Sequence, residues 1–272
     1  MRIRVSHATT YAYRRPAEGV IQVLRQSPQD HDGQRIVSWR VEVDADGFLR
    51  ERRDAFGNVI HHFYAEGPVE TLTVRATGEA EVEDRAGVVR AAPEPLPPQV
   101  FLRQTPLTEP DAAIRELAQA VQGGDALGRL HDLMARLYGA MTFETGVSDA
   151  ATPASAAFAS ARGVCQDYAH IFVGAARLIG APARYVSGHL ARRDDPEQEA
   201  AHAWAEAYVP DLGWVAFDAA NGVCPDGAYL RMAVGLDYLD AAPIRGARRG
   251  GGEESLEVVV RAVDRTCQAQ QQ

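Results

Sequence analysis

Three side chains that together could make and use a nucleophile follow one another as Cys165, His202 and Asp218. Cys165 stands after Gly163-Val164 and just ahead of the apolar run Ala169 to Ile179. There Ile171, Phe172, Ala175, Leu178 and Ile179 recur at helical spacing, which predicts a buried helix opening at Cys165. A thiol at a helix start meets the positive end of the dipole and unpaired N–H groups, and both favour the reactive thiolate. His202 heads the strand pattern Ala201-His202-Ala203-Trp204, and Asp218 closes Trp214-Val215-Ala216-Phe217-Asp218. The imidazole would take the thiol proton and later hand it to a leaving group. The carboxylate would fix the tautomer of the ring, and the Cys165 backbone N–H is a candidate oxyanion donor. Nucleophile, base and orienting acid on three separate elements are the parts of a thiol acyl-transfer site.

Each residue alone has a plainer explanation. A lone Cys or His usually packs, and Asp218 before Ala219-Ala220-Asn221-Gly222 reads equally as a turn residue. The ordered set on helix, strand and strand is what favours chemistry. His170 is a rival base, but five helical residues beyond Cys165 it lies about 140° round and points elsewhere. Asp167 would hold a nearby thiol neutral if it were unpaired, so it reads as a capping or packing residue. His189 ends a strand with no assigned role, and His131 reads as a packed or surface histidine. His61 and His62 are adjacent strand residues that face opposite ways, so they do not share a ligand. One geometric condition is checkable. His202 and Asp218 share a sheet face only if their hairpin has an odd-length loop or a bulge near Pro210-Asp211-Leu212-Gly213; a two-residue turn puts them on opposite faces.

Stepping outward, the elements that must carry these residues form an α+β chain. Residues 1–92 read as an N-terminal β-sandwich of short alternating strands, with Val37, Trp39, Val41 and Val43 on one strict period-two face. Phe56-Gly57-Asn58 supplies turn chemistry for a hairpin between Phe48–Arg53 and Val59–Tyr64. Residues 93–110, with six prolines, read as a semi-rigid linker with no helix or central strand. Residues 111–272 read as the catalytic unit. Asp111 and Asp125 start two helices, and the Cys165 helix packs on antiparallel strands from Ala183, Ala201 and Gly213 onward. The segment 192–200 reads as an exposed loop, and the Arg/Gly-rich 246–252 as flexible. Ser255 to Val263 is a last strand, and the end with Cys267 is frayed.

Composition narrows the class. Net charge is -9, which argues against a nucleic-acid footprint. No run of 18 apolar residues suggests a membrane span, and the start lacks the apolar core of a leader, so a cytoplasmic location is expected. Three cysteines at 165, 224 and 267 fit a reducing compartment and no zinc spacing, and no calcium loop is present. No cofactor or metal is therefore expected; Cys165 and His202 as ligands would need further ligands that no spacing supplies. All basic side chains are Arg, so the chain offers no lysine of its own as an acyl acceptor. Oligomeric state is not readable.

The motifs Thr152-Pro153-Ala154-Ser155, Arg162-Gly163-Val164-Cys165-Gln166-Asp167-Tyr168-Ala169-His170, Pro182 to Gly188, His202-Ala203-Trp204 and Gly213-Trp214-Val215-Ala216-Phe217-Asp218 resemble the transglutaminase-like cysteine enzyme superfamily. With Arg53 to Asn58 and Tyr238 to Gly252, they resemble its bacterial members with an N-terminal β-domain. Ala219-Ala220 stands where members usually carry a Pro-Thr-like pair. The resemblance implies a papain- or transglutaminase-like core with Cys165, His202 and Asp218 on the family triad. It also implies a peptide or protein substrate, attacked at a peptide or carboxamide bond. The family contains peptidases, amidases, protein cross-linkers and members without catalysis. Hydrolysis through an acyl-enzyme is the first expectation, cross-linking of protein glutamine the second. A non-catalytic binding module retaining the fold is the alternative from another class.

Overall fold

The computed structural model describes residues 1–191, 197–198 and 201–264; the expected loop 192–200 is otherwise outside these, as is the tail with Cys267. Strands β1 (Arg2–Ser27), β2 (Gln34–Val43), β3 (Gly47–Arg53), β4 (Val59–Ala65), β5 (Val69–Val82) and β6 (Val88–Val89) come first. A 3-10 helix (Pro98–Leu102) leads to α1 (Ala112–Gln119), α2 (Ala126–Ala140), β7 (Thr142–Phe143), α3 (Ala154–Ser160), β8 (Arg162–Gly163) and α4 (Cys165–Leu178). The chain continues through β9 (Ala183–Leu190), β10 (Glu197–Gln198), β11 (His202–Val209), β12 (Gly213–Phe217) and β13 (Tyr229–Gly235). It closes with α5 (Tyr238–Ala241), β14 (Ile244–Gly250) and β15 (Glu254–Asp264).

The expected α+β class holds, with a β-domain ahead of a helix packed on an antiparallel sheet. Where short strands were expected, residues Arg2–Ser27 form one long strand. His7 and Gln26 are 19 residues apart on β1, a span of roughly 60 Å if straight. Their side-chain nitrogens nevertheless lie 3.4 Å apart, so β1 doubles back on itself. The bend falls where pairing slips, between Ala12 and Gly19, around Pro16, which has no N–H to give a ladder. The first half of β1 pairs with β5 and β15, the second with β14 and β4. Val20 and Phe63 of one layer meet Leu72 and Val69 of the other in a shared core.

The second sheet runs β13-β9-β11-β12-β6, all antiparallel. Ala205, Ala207, Val215 and Phe217 on one face pack with Ile171, Phe172 and Val173 of α4. That helix is buried from Asp167 to Arg177, as a helix apolar nearly all round must be. On the other face Arg184 and Arg231 grip the fully buried Glu206, and Arg184 lies 3.8 Å from the Trp214 ring centroid.

Two stretches differ from the sequence reading. The Pro-rich residues 93–110 contain the 3-10 helix, because Pro98 opens its first turn, where a missing N–H costs nothing. They are also anchored. Phe101 and Leu107 are buried, and Arg177 of α4 donates to Phe101 O, Thr108 Oγ1, Ala183 O and Leu236 O. The Arg/Gly-rich stretch is largely strand β14, which pairs with β1 through its backbone while its arginines stay exposed. A strand held by backbone bonds and exposed ion pairs, such as Arg249 with Glu18, needs no apolar period. Residues 244–264 thereby return to the sheet of residues 1–92, while β6 joins the sheet of β11 and β12.

Candidate active site

Cys165 occupies the first position of α4, where a backbone N–H has no carbonyl partner within the helix. The turn into it is built by Asp167, whose Oδ2 accepts from the Val164 N–H at 2.8 Å and from the Ser148 hydroxyl. Burial pushes the Asp167 carboxyl up against the pull of these two donors. Gly163 is required here, since a Cβ on it would lie 2.6 Å from Asp167 Oδ2. The expected capping role of Asp167 is thus what the geometry gives it. Cys165 is half-buried and carries a free thiol.

The hairpin carrying the other two residues meets the parity condition. Val209 pairs with Gly213 and Ala205 with Phe217, so the loop is the three residues 210–212. Asp211 at its centre takes φ +66. An odd loop puts His202 and Asp218 on the same face, offset diagonally, and His202 Nε2 donates to Asp218 Oδ2 at 2.6 Å. Nδ1 is left for Cys165. Burial alone would lower the His202 pKa. The Cys165 charge, the hydrogen bonds to Asp218 and Cys165, and the Asp218 charge outweigh it and raise it to about 10. The ring is therefore built to carry a proton beside sulfur.

Asp218 is fully buried and receives five hydrogen bonds. Oδ1 accepts from the backbone N–H of Ala220 (3.0 Å) and Asn221 (3.2 Å). Oδ2 accepts from His202, from Asn221 Nδ2 at 2.7 Å and from the Tyr229 hydroxyl at 2.9 Å. Burial raises the Asp218 pKa, but the His202 hydrogen bond and charge, then Asn221 and Tyr229, bring it below the ordinary carboxylate value. Sequence reasoning missed Asn221 and Tyr229. Asn221 was visible only as a turn residue, and Tyr229 lies in a strand with no alternation to mark it.

The remaining candidates fall elsewhere. His170 accepts the Tyr238 backbone N–H on Nε2 at 3.1 Å, and burial lowers it to about 4, so it serves α5 as a neutral ring. His131 packs edge-on against Phe217, and His61 faces Glu51 at 3.7 Å. His189 is buried with its ring 5.5 Å from that of His7.

Residues 3–81 match the family model described as the bacterial transglutaminase-like N-terminal region, and residues 115–219 match that of the transglutaminase-like superfamily. An uncharacterized protein of Mycobacterium leprae is 29% identical over 273 residues, covering 95% of this chain and 97% of the relative. A protein-glutamine gamma-glutamyltransferase of Pseudomonas aeruginosa is 31% identical over 105 residues, 35% of this chain and 16% of that enzyme. The crystal structure of "a Putative Cysteine Protease" from Cytophaga hutchinsonii superposes with a TM-score of 0.75 at 20% identity, over 97% of this chain and 91% of that one. This likeness covers both the sandwich and the second sheet.

Proposed function

The chain belongs to the transglutaminase-like superfamily of cysteine enzymes, and from that premise we propose that it hydrolyses peptide or carboxamide bonds through Cys165, His202 and Asp218. The observation that carries this reading is His202. Its Nε2 is bound to a buried carboxylate at 2.6 Å, and its charged form is favoured by the Cys165 side chain at the start of α4. In the proposed reaction the Cys165 sulfur attacks the carbonyl carbon, and the Cys165 N–H faces the developing oxyanion. The C–N bond breaks and the proton held by His202 leaves with the amine. Water then gives a proton to His202 and its oxygen to the thioester carbon, the C–S bond breaks, and the acid departs. Water is taken as the resolving nucleophile because it needs no binding site of its own.

A second reading replaces that water with a primary amine, giving transfer of a protein-glutamine acyl group. The 105-residue similarity to the Pseudomonas aeruginosa glutamyltransferase favours it. Both readings make one prediction that a binding module does not. At neutral pH iodoacetamide should modify Cys165 at least roughly tenfold faster than Cys224, whose thiol is pushed up by burial. His202→Ala should abolish the difference, and peptide amides should compete for Cys165. Equal rates at the two cysteines would remove the catalytic reading. Incorporation of a fluorescent primary amine into a glutamine peptide would separate transfer from hydrolysis.

A further inference from the structure

Among the described residues, strand β13 is the outer strand of the second sheet, with β9 on one side only. An open edge leaves N–H and C=O groups unpaired. Two side-chain amides of the sandwich close this one. Gln34 Nε2 donates to Arg231 O at 3.0 Å while Gln34 Oε1 accepts from Arg231 N at 2.8 Å. Asn58 Nδ2 donates to Val234 O at 2.7 Å while Asn58 Oδ1 accepts from Val234 N at 2.9 Å. Each amide imitates one residue of a neighbouring strand. Each spends its second N–H within the sandwich: Gln34 on Gln29 O at 2.8 Å, Asn58 on Asp54 Oδ2 at 2.9 Å. Both side chains are buried, so β13 is held to the sandwich by fully satisfied polar bonds.

The first residue of β13 is Tyr229, whose hydroxyl donates to Asp218 Oδ2 at 2.9 Å. Burial and the Asp218 charge keep that phenol protonated, hence a donor, across the working range. Its ring stands 5.8 Å from His202 and edge-on to Trp204 at 5.5 Å. We propose that Tyr229 is a positioning residue for the triad acid, and that the sandwich sets where its hydroxyl sits through the Gln34 and Asn58 clamps on β13. The inference rests on the triad reading above. It gives the N-terminal domain a part in the chemistry although none of its residues joins the triad. The hydroxyl fixes Oδ2 and takes up part of its charge, which moderates how strongly Asp218 holds the imidazolium.

The test follows the His202 ring by NMR in full-length protein carrying 13C-labelled histidine, as a function of pH. Tyr229→Phe keeps the ring and removes the donor, so the charge on Oδ2 concentrates and the His202 midpoint should rise by roughly half a pH unit. Gln34→Met should move the midpoint the same way, and the double variant should move it no further than Tyr229→Phe alone. Asn58→Ser takes its place if Gln34→Met does not fold. A purely structural clamp would lower Tm and leave the midpoint where it was. An unmoved or lowered midpoint in Tyr229→Phe overturns the role of Tyr229, and additive shifts overturn the link to the sandwich. Iodoacetamide modification of Cys165 in the same samples keeps the two readings apart. Fast modification with an unmoved midpoint defeats this inference alone, whereas slow modification in the wild type defeats the triad.

Discussion

Asp218 divides its two oxygens between a turn and a ring. Its Oδ1 holds the turn through the N–H groups of Ala220 and Asn221, and its Oδ2 holds His202. One carboxylate can serve a turn and a base because it has two oxygens with lone pairs to spare. The same oxygens explain how Ala219-Ala220 stands in for a Pro-Thr-like pair: the turn is set by Asp218, with only backbone asked of Ala220. Removing the carboxylate strands several donors at once in a buried place. Asp218→Ala should therefore cost about 3 kcal/mol in a denaturant melt. It should also slow iodoacetamide modification of Cys165 at pH 7 by roughly tenfold or more. A variant as stable and as reactive as the wild type would show that the five hydrogen bonds carry nothing. Gly163 supplies a companion case upstream. Gly163→Ala drives a methyl into Asp167 and should loosen the cap that aims Cys165, with a stability loss of about 1–3 kcal/mol.

At the scale of elements, the sequence was most readable where one face of an element is apolar and the other is not. Helices α1 and α2, with Asp111 and Asp125 as their caps, and the hairpin around Phe56-Gly57-Asn58 fall where the pattern put them. So does α4, whose start is marked by Gly163 as much as by its apolar run. Strand β13 escaped because every residue from Tyr229 to Gly235 is buried, which erases the period-two signal. With it escaped Tyr229, whose partner Asp218 is 11 residues back. The β11–β12 loop shows how much a single element decides. Its three residues keep His202 and Asp218 on one face, so one glycine inserted after Asp211 should turn Asp218 away or force a bulge. We expect that insertion to erase the fast modification of Cys165 while leaving the far-UV circular dichroism of the sheet nearly unchanged. Deleting Leu212 should do the same, whereas Asp211→Gly, which only relieves a positive φ, should leave the rate intact and stabilise slightly.

For the whole molecule, His7, His31 and His189 stand buried or half-buried where the sandwich meets the second sheet, and His170 is buried between α4 and α5. His7 on β1 meets His189 on β9, His31 feels Arg231 across the junction, and His170 ties α4 to α5. Burial lowers His7, His31 and His170 to about 4 and His189 to about 3, against an ordinary value of 6.5. In the unfolded chain all four would take protons near pH 6.5, so between there and about pH 4 the unfolded state binds more protons. Their contribution is thus complete above pH 6.5 and is lost as pH falls toward 4. His202 runs the other way. Raised to about 10, it stabilises fully below 6.5 and stops doing so as pH rises through 10. Stability should therefore be greatest near pH 6.5, with a steep acid side, where four imidazoles act, and a gentler alkaline side, where His202 acts alone. Thermal melts from pH 4 to 10 should show Tm falling below pH 6.5, and the double variant His7→Gln, His189→Asn should flatten that slope. A Tm that holds level down to pH 5, or a double variant with the wild-type slope, would place the acid sensitivity elsewhere.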